Sequence, residues 1–173
     1  MKLQHEFVFA MSIALVPLCL AQVDKAGKTG PATDQADQGH VMVAPNEVKW
    51  GPAPPSLPSG AQLAVLEGDP AKAGAPFTIR AKFPDGYQVP PHWHPTDENV
   101  TVLAGTLGMG LGESFDPAKG HEMTAGSYFR TPKGLRHFAW AKGETVIQVH
   151  GVGPFEVTYV NPADDPRRKA SPK

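Results

Sequence analysis

The chain has 173 residues, a formal net charge of −1 and a single cysteine. That charge gives no electrostatic basis for binding nucleic acid or an acidic membrane surface. One cysteine excludes a disulfide scaffold and a cysteine zinc site, and its position, Cys19, lies in an N-terminal leader, which also removes thiol catalysis from the working domain.

The leader, residues 1–21, reads MKLQHEFVFAMSIALVPLCLA. Lys2 supplies a positive start, and an apolar run follows from Phe7 to Leu20. The run is short for a bilayer span and ends Cys19-Leu20-Ala21, a small-x-small pattern suited to signal peptidase. A cleaved secretory signal is therefore expected, leaving a secreted or periplasmic chain with no membrane attachment. Residues 22–39 are polar, lack aromatics and have no period, so they read as a flexible lead.

Glycine (18) and proline (19) are abundant, which favours short strands and turns over long helices. Strand-like segments then recur along residues 40–161: HVMVA at 40–44, QLAVLEG at 62–68, FTIRAKF at 77–83, ENVTVLAG at 98–105 and LGMGLG at 107–112. They continue as SYFRT at 127–131, RHFAWA at 136–141, TVIQVHG at 145–151 and FEVTYV at 155–160. Turn signals such as Pro84-Asp85-Gly86, Lys133-Gly134 and Lys142-Gly143 separate them. None carries a sustained helical period, so one all-β domain, a sandwich or barrel, is expected. Residues 44–60 hold too many prolines for a central strand and are expected to bring Trp50 over one end of the barrel. Residues 162–173 read as a flexible tail.

The chemistry concentrates in GYQVPPHWHPTDENVTVLAG, residues 86–105. His92 and His94 stand two apart, so on a strand both imidazoles share one face. A turn at Pro95-Thr96-Asp97 can return Glu98 beside them. A second stretch, GSYFRTPKGLRH at 126–137, places His137 at the start of a strand that a barrel can bring to the same face. Three imidazoles and one carboxylate make a plausible site for one divalent transition metal, with coordination positions left open for a ligand.

These two stretches resemble the motifs of the cupin superfamily. The first motif, G-x5-H-x-H-x3,4-E-x6-G, fits at Gly86, His92, His94, Glu98 and Gly105. The second, G-x5-P-x-G-x2-H-x3-N, fits at Gly126, Pro132, Gly134 and His137, with Ala141 where the family has asparagine. The resemblance implies a small single-domain cupin, a jelly-roll barrel of antiparallel strands with the metal inside. It implies His92, His94, Glu98 and His137 as ligands and a homodimer as assembly. It does not imply a reaction, because the fold hosts many chemistries. Iron, manganese, nickel, copper and zinc all suit such a donor set, and the redox-active ones point to a dioxygenase-like enzyme acting on a small oxygenated organic substrate. With a divalent ion the site carries a net positive charge, which favours an enolate or carboxylate. The alternative is a non-catalytic module that binds a metal or a metabolite.

Other polar residues are weighed by the face they occupy. Tyr128 and Arg130 share one face, and Gln148 and His150 share another. If those faces are interior, Tyr128 can donate a hydrogen bond to a ligand, Arg130 can hold a carboxylate, and Gln148 and His150 can touch substrate. If they are exterior, all four are solvated. His40 and His121 read as surface residues. Val100, Val102, Met109 and Leu111 are expected to line the barrel, and Phe138 and Trp140 to point away from His137, into a dimer contact or under a covering segment.

Overall fold

The structure, a computed structural model, describes residues 39–169; the expected signal and all but the end of the lead lie outside them. Nine strands follow in chain order: β1 Gly51–Pro52, β2 Gln62–Gly68, β3 Pro76–Phe83, β4 Gln88–Trp93, β5 Glu98–Leu111, β6 His121–Thr124, β7 Tyr128–Thr131, β8 His137–Val152 and β9 Thr158–Tyr159. All pair antiparallel, in the order β1-β2-β3-β8-β4-β9, with β5 running beside β8 and carrying β6 and β7 on its far edge. The sheet curls into the jelly-roll barrel that the resemblance implied.

Alternation in the sequence decides which side faces in. In β3, Phe77, Ile79, Ala81 and Phe83 are buried, while Thr78, Arg80 and Lys82 between them are half-exposed. This period of two is what a strand with one buried face requires. The same alternation in β8 buries Thr145, Ile147 and Val149. Together with Val100, Val102, Tyr87, Val89 and Tyr159 they form the core.

Four expectations need correction. Residues 40–44 form no strand; Val41 and Met42 are exposed and find no strand partner there. The last predicted strand shortens to Thr158–Tyr159. The breaks expected near 106 and 143 are not loops, because β5 and β8 each run straight through them. Gly105 and Gly143 both take φ near +73°, where a side chain is strained, and the β5–β8 register shifts beside them. A Cβ at Gly105 would strike the Glu144 carbonyl, and the Gly143 N–H donates to Asp85 Oδ1 at 2.6 Å. Buried Thr145 closes the irregularity by donating its hydroxyl toward the carbonyls of Thr106 and Gly143 at 3.0 and 3.1 Å. Finally, the expected tail carries two short helical turns, Pro162–Asp164 and Pro166–Lys169. Arg167 holds the second by donating to the Val157 carbonyl and pairing with Asp165.

The outer side of β8 is covered by the chain itself. Phe138 is 1% exposed, stacks with Trp140 and packs tilted against Phe115. These rings fit because β5 places Gly110 opposite Phe138 and Gly108 opposite Trp140. A Cβ at Gly110 would overlap the Phe138 ring, and one at Gly108 or Gly120 the Trp140 indole. Phe138 and Trp140 point away from the His137 side, as expected, and Phe115 and Gly120 of a covering segment pack against them.

Residues 44–60 do reach the barrel, through Pro52, Pro54, Ser56 and Leu57 rather than through Trp50. Trp50 lies outside, with the Lys82 ammonium 4.6 Å from its ring centre. Two buried phenols tie this proline strap down: Tyr87 donates to the Pro58 carbonyl at 2.6 Å and Tyr159 to the Ser56 carbonyl at 2.8 Å. Burial pushes both hydroxyls up from the usual phenol value, and so both stay protonated donors.

Candidate metal centre

The barrel encloses a cavity of about 370 Å³. His92, His94, Glu98 and His137 all line it. Each is delivered by a different piece of local structure. His92 sits on β4 directly across from His137 on β8. His94 follows just beyond the strand end, where its carbonyl accepts from the Gly134 N–H at 2.9 Å. Glu98 is the first residue of β5, opposite Thr131.

The three imidazoles are buried and crowd together, with ring centres 4.2 to 5.3 Å apart. Each Nδ1 donates to a backbone carbonyl: His92 to Pro90 at 2.7 Å, His94 to Glu156 at 2.7 Å and His137 to Leu135 at 3.0 Å. A ring whose Nδ1 carries the proton presents a bare lone pair on Nε2. One nitrogen from each ring can reach a common point, the three lying within 4.8 Å of one another. Glu98 Oε2 stands 3.4 Å from His137 Nε2 and 3.7 Å from His94 Nε2. His94 Nε2 is buried without a hydrogen-bond partner among the described residues. An orphaned buried acceptor is costly unless something occupies it. Carbonyl-anchored imidazoles with free Nε2 lone pairs are how proteins orient metal ligands, so these residues fit a bound cation.

Electrostatics agree. Burial, reinforced by His137 and His94, holds His92 far below the ordinary imidazole value, at about 3. Burial also lowers His94, against the pull of Glu98. Burial would lower His137 too, but the adjacent Glu98 carboxylate wins and raises it. Burial alone would raise Glu98, yet His94 and His137 hold it down at about 2. At neutral pH the cluster therefore offers one carboxylate and at least two neutral imidazoles.

A pH dependence follows. His92 titrates near 3 folded against 6.5 for a free imidazole, so the unfolded chain binds the extra proton in between. The His92 contribution to the stability of the metal-free protein is expected to be complete above that window and to be lost as pH falls through it. His92→Gln is expected to flatten the slope of denaturant midpoint against pH. An unchanged slope would show that His92 is not coupled to folding.

The remaining candidates do not join the cluster. Tyr128 is 56% exposed and donates to Asn99 Oδ1 at 2.9 Å. Arg130 pairs with Asp97 at 2.8 Å on the surface. Gln148 accepts from Arg80 Nε at 3.1 Å, and His150 is exposed beside Asn99 and Thr78. All four lie on the outer face of the sheet, because Phe129, Thr131, Ile147 and Val149 take the inner positions. Val100 and Met109 line the cavity and Val102 is buried beside it, whereas Leu111 is 57% exposed at the strand end. His40 and His121 are exposed, as expected. Sequence reasoning missed the Glu156 carbonyl, which orients His94, and the proline strap as cavity wall; no residue-type signal marks either.

The family model of the ChrR cupin-like domain matches residues 38–156. The chain belongs to that cupin family. The search of curated proteins returned no match. Among solved structures it resembles a proposed acetylacetone dioxygenase from Methylibium petroleiphilum PM1, with TM-score 0.56, 22% identity and coverage of 73% of this chain and 85% of that one. It also resembles the polyketide cyclase RemF from Streptomyces resistomycificus, with TM-score 0.55, 21% identity and coverage of 72% and 88%. KdgF from a Halomonas species gives TM-score 0.50 and 20% identity over 66% of this chain and 94% of that one. At these identities the likeness concerns the fold.

Proposed function

We propose that this cupin is a secreted or periplasmic metal-dependent enzyme, dioxygenase-like in chemistry, acting on a small oxygenated organic molecule, and that it works as a homodimer. The observation that carries the metal reading is the set of three imidazoles anchored through Nδ1, with His94 Nε2 left orphaned beside Glu98. His92, His94 and His137 would hold one divalent ion as neutral donors and Glu98 as the anionic one. Such an ion supplies Lewis acidity and, if it is iron, manganese, nickel or copper rather than zinc, redox chemistry as well. The chain contributes orientation of the donors and a barrel wall that keeps water away from the reacting ligand.

A second reading, a binding module without catalysis, has one observation in its favour. Beyond the four-residue cluster, the cavity wall carries no acid or base among the described residues.

Elemental analysis of the protein from its natural compartment tests the metal reading, beside a His92→Ala/His137→Ala double variant. Near one ion per chain in wild type and none in the variant is expected. A folded wild type that takes up no iron, manganese, nickel, copper or zinc would overturn it. Oxygen uptake with a panel of phenols, diketones and acids then separates enzyme from binding module.

A further inference from the structure

The cavity has a lopsided chemistry. Its polar side chains are the four-residue cluster and Ser56, whose carbonyl already accepts from Tyr159. The rest is hydrocarbon, aromatic ring, thioether or proline: Ile79, Phe83, Val100, Phe129 and Ile147 are representative. No lysine, arginine, asparagine or glutamine lines it among the described residues. The arginines adjacent in sequence to lining residues face outward, Arg80 to Gln148, Arg130 to Asp97 and Arg136 to Glu113.

We infer that the cavity selects a neutral organic molecule with an apolar body and a single oxygen-bearing head, and that it rejects dicarboxylates and sugar acids. The head meets the cluster, and the Ser56 hydroxyl is the one other polar side-chain group that the described lining offers to the body. This part rests on the metal reading above; rejection by the wall does not. A second carboxylate, or a row of hydroxyls, would lie against groups that cannot hydrogen-bond, and the lost hydration would not be replaced. A substrate carboxylate in general therefore lacks a counter-cation once past the head. The enolate or carboxylate expected from site charge alone narrows to an enol-type or phenol-type head.

Size follows from the volume. An apolar cavity of about 150 Å³ accepts benzene. At about 370 Å³ this one holds about a dozen to fifteen non-hydrogen atoms on the same scale. Ala139, Leu57 and Ala81 set that limit: each lines the space, and the two alanines leave room that a larger residue would fill.

The test is calorimetric binding to the full chain, loaded with zinc so that no turnover intervenes, and again after removal of metal by a chelator. The probes are benzoylacetone, oxalate and galacturonate. Benzoylacetone is expected to bind the zinc-loaded chain with a negative heat-capacity change, the mark of apolar burial, at least fiftyfold tighter than either anion. In the chelator-treated chain it is expected to weaken but to keep at least a tenfold preference. Ala139→Phe is expected to weaken it tenfold or more in both states with metal content unchanged. If that variant fails to fold, Leu57→Asp on the strap replaces it, with the same expectation. Oxalate or galacturonate within tenfold of benzoylacetone, or no benzoylacetone binding, overturns the inference. So does a variant that binds as wild type. A chain that takes up no zinc but still shows the tenfold preference would overturn the metal reading and leave the apolar selection standing.

Discussion

Glu98→Gln is expected to weaken metal retention by about a hundredfold or more while leaving the barrel folded. The carboxylate is the only anionic side chain on the cavity wall among the described residues, and its Oε2 lies 3.4 Å from His137 Nε2. Glutamine keeps the volume and one oxygen but removes the charge. Changes to groups that merely orient ligands already cost about 10–100-fold in affinity. Loss of the anionic donor itself belongs at or beyond the top of that range. Competition against a chelator of known affinity reads the effect, with zinc as the probe ion. A glutamine variant that retains zinc within threefold of wild type would remove Glu98 from the ligand set and leave three histidines.

Phe138→Ala is expected to cost about 3–5 kcal/mol of stability, a large part of what an ordinary domain has. The ring is 1% exposed, wedged between Phe115, Trp140 and the bare backbone of Gly110. Removing it leaves a cavity that stiff strands on both sides cannot close. Gly110→Ala is expected to cost about 1–3 kcal/mol for the opposite reason, overpacking against the same ring. Because the two positions face each other across β5 and β8, their effects should not add. Denaturant unfolding reads both costs, and unfolding of Gly110→Ala, of Phe138→Leu and of the double variant that combines them measures the coupling. A double variant as unstable as the sum of the singles would mean that the ring does not rest on Gly110.

The comparison of sequence with structure separates what is local from what is not. The grouping of His92, His94 and Glu98 was legible because their spacing encodes both a shared strand face and a tight return. The strands of β2, β3 and the second half of β8 were legible from alternation. Which face is interior was not. Alternation paired Tyr128 with Arg130 and Gln148 with His150 correctly, but only the curl of the sheet decides that Phe129, Ile147 and Val149 look inward. Glycine misled in one way. Gly105 read as the end of a strand and Lys142-Gly143 as a turn, whereas the chain uses these glycines to bend two long strands without ending them. The four-residue strand β6 carries His121 and Glu122 on an exposed edge and has no hydrophobic alternation to announce it.

The pairing of His92 with His137 bears on the order in which the molecule assembles. β5, β6 and β7 are neighbours in sequence and in the sheet, so their contacts close short loops. The β4–β8 pairing, and that of β4 with β9, must instead join segments that lie on either side of the whole β5–β7 stretch. Non-local pairings form late, because the entropy of closing a long loop is spent before contacts return it. The histidines are therefore expected to meet only after the β5–β7 hairpins exist. A folding chain caught before this step would expose the apolar cavity wall, and that is the species most prone to aggregate.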